Sequence, residues 1–268
     1  MSDSFPTPTP ADDPRQIRVM FYVKQASPTI SQILIGANFV VFLAMIVAGY
    51  LLFGIWNGTE NTQVLLLFGM KDNQLVAQGQ IWRLFTAMFL HIGVLHLLFN
   101  LYALYFLGPQ VEGLFGHRRF TAIYLIGGLF GSLASYAFVN SDSAGASGAI
   151  FGLVGALTVY FLRYRDQFGA RAKSILQNMV VIIVINFIFG LSSPGIDNWG
   201  HLGGLVGGAL VAWGLIPRYL PPAPVALTPA LMQDPRVPLQ EEQRVGMELG
   251  WIVICLGLIG LGLQLIGG

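Results

Sequence analysis

Two stretches far apart in the chain carry residue types that could do chemistry together: Gly145-Ala146-Ser147-Gly148 at the head of one apolar run, and Gly200-His201 at the head of another. A serine hydroxyl is a weak nucleophile until a neighbouring base takes its proton. A neutral imidazole, with a reference pKa of about 6.5, can be that base near neutral pH and can then return the proton to a leaving amine. The reading is acyl transfer, with Ser147 as nucleophile and His201 as general base and acid. The oxyanion that develops on the substrate needs donors. His96 and Asn100, spaced i and i+4, present two on one helix face, and the backbone N–H of Ser147 is a third. No carboxylate falls in the same layer, so a two-residue Ser–His catalyst is expected rather than a triad.

The elements that must position these residues are membrane helices. With 54% hydrophobic and only 10% charged residues, the chain has too little polar surface to cover a soluble globule. Its mean hydropathy of +0.66 says the same and makes it a polytopic membrane protein. A net charge of +1 argues against nucleic acid as a partner. The single cysteine, Cys255, excludes an internal disulfide.

Charge-free runs at 30–53, 84–107, 120–139, 146–162, 175–191, 199–216 and 249–266 give seven spans, since about 20 residues at about 1.5 Å each cross a ~30 Å hydrocarbon layer. Residues 1–29, rich in Pro, Ser, Thr and Asp, read as a disordered cytoplasmic tail. The length of the first run and the lack of a small-residue cleavage site ahead of it speak against a signal peptide. A Pro-rich linker, 218–248, separates the six-helix unit 30–217 from the seventh helix at 249–268. Placing the N-terminus in the cytoplasm puts 12 of the 14 Lys and Arg on the inner side and leaves only Lys71 and Arg83 outside. The C-terminus then lies on the outer side.

Depth can be counted on that topology. Ser147 stands 16 residues before Arg163, His201 17 before Arg218, and His96 16 before Glu112. At about 1.5 Å per residue all three sit roughly 24–26 Å above the inner boundary, just under the outer face. Gly148 and Gly152 in the fourth span, and Gly200, Gly204 and Gly208 in the sixth, recur every fourth residue, the spacing that lets helices pack closely in lipid. Such packing would set Ser147 beside His201.

Plainer readings apply elsewhere. His91 lies off the face of His96 and is structural, Trp82 and Arg83 anchor the first outer loop, and His117 is interfacial. Tyr102, Tyr105 and Phe106 are packing or lipid-facing surface. No His-Glu-x-x-His occurs, and His91 and His96 are five apart and turned away from one another, so neither a metal nor any other cofactor is expected. A transporter would more often carry carboxylates within its spans.

In order and placement these residues resemble the rhomboid intramembrane serine proteases, over roughly 80–216. The resemblance rests on Trp82-Arg83, His96-Leu97-Leu98-Phe99-Asn100, Glu112 after Gly108-Pro109, Gly145-Ala146-Ser147-Gly148 running into Phe151-Gly152, and Gly200-His201 with Gly204 and Gly208. It implies an all-α rhomboid-like six-helix bundle with a cavity open to the outer side, here with an appended seventh transmembrane helix. It also implies a Ser147–His201 dyad, oxyanion contacts from His96 and Asn100, an aromatic stacked near the histidine at Phe151, and transmembrane proteins as substrates. A non-catalytic relative would share the fold; its usual mark is loss of the serine or the histidine, and both are present.

Overall fold

The computed structural model describes residues 20–193, 195–221, 231 and 233–267. Among them, seven long helices dominate: α1 (Thr29–Phe53), α5 (Gly93–Phe115), α6 (His117–Phe138), α7 (Ser147–Arg163), α9 (Ala170–Ser192), α10 (Asn198–Leu215) and α11 (Val245–Gly267). Short helices α2 (Thr62–Phe68), α3 (Asn73–Ala77) and α4 (Arg83–Thr86) fold the loop between α1 and α5, and α8 (Arg165–Phe168) turns the chain from α7 to α9. The chain is an all-α, multi-pass membrane protein. Five of the long helices, α1, α5, α6, α9 and α11, are long and apolar enough to cross a bilayer, and α7 is a shorter apolar helix.

Two units divide the chain. One comprises the described parts of Met1–Lys24 and Pro217–Gln243; the other is Gln25–Ile216 with Arg244–Gly268. In the first, strand β1 (Met20–Tyr22) pairs in parallel with β2 (Arg236–Pro238). That strand lies inside the stretch expected to be unstructured; the rest of the expected tail, up to residue 19, falls outside the described residues.

The second unit is the helical bundle, and it departs from the expected second span at both ends. Residues 84–92 are not part of the long helix: α4 gives way to a 3-10 turn at Ala87–Phe89 and an extended Leu90, and α5 starts at Gly93, whose φ of +76° suits glycine. The helix instead runs on through Pro109 to Phe115. Proline removes one ladder donor there, and the Gln110 side chain donates to Phe106 O at 2.8 Å nearby. α11 begins at Val245, four residues before its charge-free run.

Sequence explains which helices are central. α6, α7 and α10 meet through glycine. A Cβ at Gly127 of α6 would lie 3.2 Å from Gly208 Cα, one at Gly152 of α7 3.4 Å from Gly127 Cα, and one at Gly131 2.7 Å from Gly200 O. Positions Gly204 and Gly208 of α10 lie so tightly on the backbones of Gly148 and Gly152 that no side chain fits. Below this seam Tyr124 of α6, Leu153, Leu157 and Tyr160 of α7 and Val211 and Ala212 of α10 are fully buried. α1, α9 and α11 lie outside it, and their large apolar side chains face outward: Leu51 is 71% exposed and Leu191 81%. In water such a surface would be a liability; in lipid it is the ordinary solvent-facing side.

Polar pins hold the peripheral helices at their ends. The Glu112 carboxylate of α5 accepts from Ile30 N, Ser31 N and Ser31 Oγ at 2.7–2.8 Å, fixing the start of α1. The oxygen that accepts from Ile30 N, Oε1, also meets His117 Nδ1 at 2.6 Å. At the start of α11, Glu248 pairs with Arg119 of α6, and one turn on Trp251 Nε1 donates to Leu210 O of α10 at 3.0 Å, its ring filling the notch left by Gly214. The seventh helix is therefore packed on α6 and α10.

The glycine seam makes a prediction. Gly208→Leu should destabilise the protein by at least the ~1–3 kcal/mol typical of overpacking, because the neighbouring atoms are backbone and cannot move aside. Gly257→Leu in α11, where nothing lies within 4 Å, should leave thermal unfolding in detergent unchanged. Equal melting temperatures for the two variants would refute the seam.

Candidate active site

α7 begins at Ser147 itself, and the connector before it approaches through Gly145, whose φ is +141°. α10 begins at Asn198, capped by Asp197, whose carboxylate accepts from Gly200 N at 2.7 Å. His201 stands in the first turn of that helix and His96 in the first turn of α5. The three side chains share a level because three helix starts share it.

Nε2 of His201 lies 2.9 Å from Ser147 Oγ, a hydrogen-bond distance across 54 residues of sequence. The glycine seam makes this approach feasible: Gly200 O lies 3.3 Å from where a Cβ on Gly148 would be. One turn below Ser147 on the same face of α7, Phe151 stacks on the imidazole with ring centroids 4.4 Å apart and planes 11° apart. The imidazole is thus met by the hydroxyl at its edge and the phenyl at its face, and it is only 8% exposed. Among the described residues nothing lies within hydrogen-bond distance of its Nδ1. The nearest acid in sequence, Asp197, caps the helix instead.

His96 reaches the same spot from α5. The Ile92 N–H donates to its Nδ1 at 3.3 Å, so the neutral ring carries its proton on Nε2. That Nε2 lies 2.8 Å from the position a Cβ on Gly145 would occupy, and Ser147 Oγ lies 3.8 Å from the same point. A donor N–H therefore borders the serine hydroxyl, with glycine leaving the space between them. Asn100 is buried one turn further along, where its side-chain amide donates to His96 O at 2.9 Å. One of its two amide N–H groups is thereby taken by the backbone of its own helix. His91, expected to turn away from His96, instead packs edge-on against it with centroids 5.3 Å apart, because α5 begins only at Gly93 and residue 91 does not follow its helical spacing.

Arg83 and Trp82 sit in the loop over this end of the bundle. Arg83 is buried, and its Nη1 donates to Leu66 O (2.9 Å) and Met70 O (3.0 Å), its Nε to Gln80 Oε1 (2.7 Å). Its guanidinium also lies over the Trp82 ring, 4.8 Å from the centroid. Both residues tie the α2–α3 segment to α4. Three contributors went unread in the sequence. Gly127 and Gly131 of α6 complete the glycine seam, and their i, i+4 spacing was the available signal. Lys71 is wholly buried beside the connector to Ser147, and an isolated lysine in an outer loop gives no such signal. A cavity lined by Ser132, Ser135, Ser143 and Asp197 opens beside Ser147. Among the described residues no group of three or more His, Cys, Asp or Glu could hold a metal.

The arrangement can transfer a proton from hydroxyl to imidazole and can offer N–H groups to an oxygen held next to Ser147. His96→Ala removes the Nε2–H donor while leaving the connector and the glycine seam untouched. Labelling of Ser147 by a serine-directed phosphonate should then fall roughly 100-fold, as when an oxyanion donor is lost. Undiminished labelling would separate His96 from the site.

A family model of the rhomboid domain matches residues 78–218. Rhomboid protease GluP of Bacillus subtilis is 47% identical over 172 residues, 64% of this chain and 33% of that protein. RHOMBOID-like protein 1 of Arabidopsis thaliana is 40% identical over 146 residues, 53% and 36%. Rhomboid-like protease 1 of Toxoplasma gondii is 37% identical over 155 residues, 54% and 50%. The chain spans about a third to a half of the length of these curated relatives.

Proposed function

The chain belongs to the rhomboid family, and from that premise we propose that it is an intramembrane serine endopeptidase that cuts transmembrane protein substrates with a Ser147–His201 dyad. The observation that carries the reading is the 2.9 Å contact between Ser147 Oγ and His201 Nε2, set between helices whose outer faces are apolar. As Ser147 Oγ attacks the scissile carbonyl, its proton passes to His201 Nε2. The C–N bond then breaks, the imidazolium gives that proton to the departing amine, and the substrate's acyl group stays on Ser147. Water, admitted through the serine-lined cavity, repeats the cycle with His201 again as base and frees the new carboxylate.

The oxyanion formed in both steps faces His96 Nε2–H and the N–H of Ser147, which as the first residue of α7 has no intrahelical acceptor. Asn100, buried beneath His96, supports that ring through its backbone and offers its second amide N–H to the same oxygen. Phe151 holds the imidazole plane, Gly148, Gly204 and Gly208 hold the helices together, and Trp82 and Arg83 hold the loop above. The distribution of Lys and Arg supports a cytoplasmic N-terminus and a site opening to the outer side, so that cleavage falls in or near the outer part of the bilayer.

Reconstituted with a reporter transmembrane substrate, Ser147→Ala and His201→Ala should each lose cleavage to the order of 10⁶-fold, as nucleophile and base act as a unit, with melting temperature kept. Retention of activity in Ser147→Ala would exclude it as nucleophile. The pH dependence has a fixed sign. Only the neutral imidazole accepts a proton, so kcat/KM should fall about tenfold per unit as the pH drops below the pKa of His201. A profile that stays flat on acidification all the way to the loss of the folded protein would remove His201 as the base.

A further inference from the structure

Lys71 lies between α2 and α3 and has no exposed surface. Its ammonium donates to Ser135 Oγ (3.1 Å), Val139 O (3.3 Å) and Ser141 O (2.9 Å), three acceptors for the three N–H bonds of a charged lysine. Val139 is the C-terminal cap of α6, where unpaired carbonyls and the negative end of the helix dipole favour a cation. Asn73, two residues on, donates to the same Val139 O at 2.9 Å.

The backbone of Lys71 is engaged as well. Lys71 N donates to Ser143 O and Ser143 N to Lys71 O, each at 3.1 Å, an antiparallel bridge to the connector between α6 and α7. Ser143 Oγ closes the circle on Ser135 Oγ at 3.0 Å. Further along, Gly145 N donates to Ala87 O at 2.9 Å, and two residues later the connector delivers Ser147. A single side chain thus ties the end of one seam helix to the strand of backbone that starts the next.

We propose that Lys71 is a positioning residue for Ser147: its ammonium fixes the course of the 139–146 connector and through it the place of the serine hydroxyl and N–H against His201 and His96. This rests on the reading of Ser147 as nucleophile. The charged form is required, because a neutral amine has two N–H groups for three acceptors and turns a lone pair toward a carbonyl. Burial pushes the Lys71 ammonium toward losing its proton, while Asp197 at the cap of α10, Asp142 in the connector and Asp72 beside it oppose that loss. Arg83 of α4 is the other charged group in this corner and acts on Asp142. The net displacement is downward, so the charged form and the activity that depends on it are present below the lowered pKa and lost as pH rises through it, ahead of an ordinary lysine's ~10.4.

The test uses the full chain in liposomes, with a reporter transmembrane substrate and a serine-directed phosphonate. Lys71→Met should lower kcat and the labelling rate of Ser147 roughly 100-fold, the scale of a 1 Å misplacement, with KM largely kept. In Lys71→Arg, whose guanidinium stays charged, the alkaline fall in kcat should move to higher pH than in wild type. A folded Lys71→Met labelled at the wild-type rate, or alkaline limbs that coincide in wild type and Lys71→Arg, would overturn the inference alone; the second comparison still decides if Lys71→Met does not fold. Wild-type protein unlabelled at Ser147 would overturn the nucleophile reading and this inference with it.

Discussion

The structure depends on one physical circumstance: three helices, α6, α7 and α10, touch backbone to backbone. Lipid tails are as apolar as leucine, so burial from water does not press helices together inside a membrane, and close van der Waals contact must do so instead. Glycine permits the contact by removing the Cβ that would hold the axes apart. Gly127, Gly152 and Gly208 form one level of the seam, and Gly131, Gly148, Gly200 and Gly204 the level above it. Ser147 and His201 belong to the upper level. Had either helix carried alanine at these points, the first turns of α7 and α10 would stand apart, and a hydroxyl and an imidazole of ordinary length could not meet.

Helices outside the seam are joined differently. α1 is fixed where its first N–H groups meet the Glu112 carboxylate, and α11 where Glu248 meets Arg119 and Trp251 meets Leu210 O. These joints are polar, local and close to helix ends; along the rest of each helix one side is buried, as at Phe42 and Met45 of α1 and Cys255 and Ile259 of α11, and the other faces outward with apolar side chains. A hydrogen bond in a medium without competing water holds at one point without demanding complementary shape along the whole helix. The rigid joints therefore lie around the proposed chemistry and the pinned joints around its periphery.

Much of this was legible because membrane burial writes itself plainly into sequence. Charge-free runs located the helices, and the every-fourth-residue glycines of the fourth and sixth spans marked two sides of the seam. The start of α5 was not legible: 84–92 is as apolar as a spanning helix, yet it folds over the bundle end, and only the backbone conformation at Leu90 and Gly93 separates the two uses. Asn100 was expected to present a donor on the face of His96 from its i, i+4 relation to it, and that same relation also lets one of its two amide N–H groups bond His96 O, which the sequence pattern does not announce. Lys71 was counted only as a charge on the outer side. Its burial arises from the tertiary meeting of a loop with a helix end, which no local pattern records.

The absence of a carboxylate from the His201 Nδ1 side, among the described residues, raises the question of what takes its place in the proposed mechanism. In a serine triad the acid orients the imidazole and offsets the positive charge that appears on it in the transition state. Orientation here comes from packing: the ring lies parallel to Phe151 within 11° and has Ser147 at its edge, so its plane and its Nε2 are both set. Charge is met by the same phenyl face, whose quadrupole attracts a cation by ~0.5–2 kcal/mol, the larger figure applying where water is excluded. That is less than a buried carboxylate would supply, so the remainder of the rate must come from donors at the oxyanion. It follows that His96 and the first N–H of α7 should carry more of the catalysis in this arrangement than the corresponding donors do where a third residue backs the histidine.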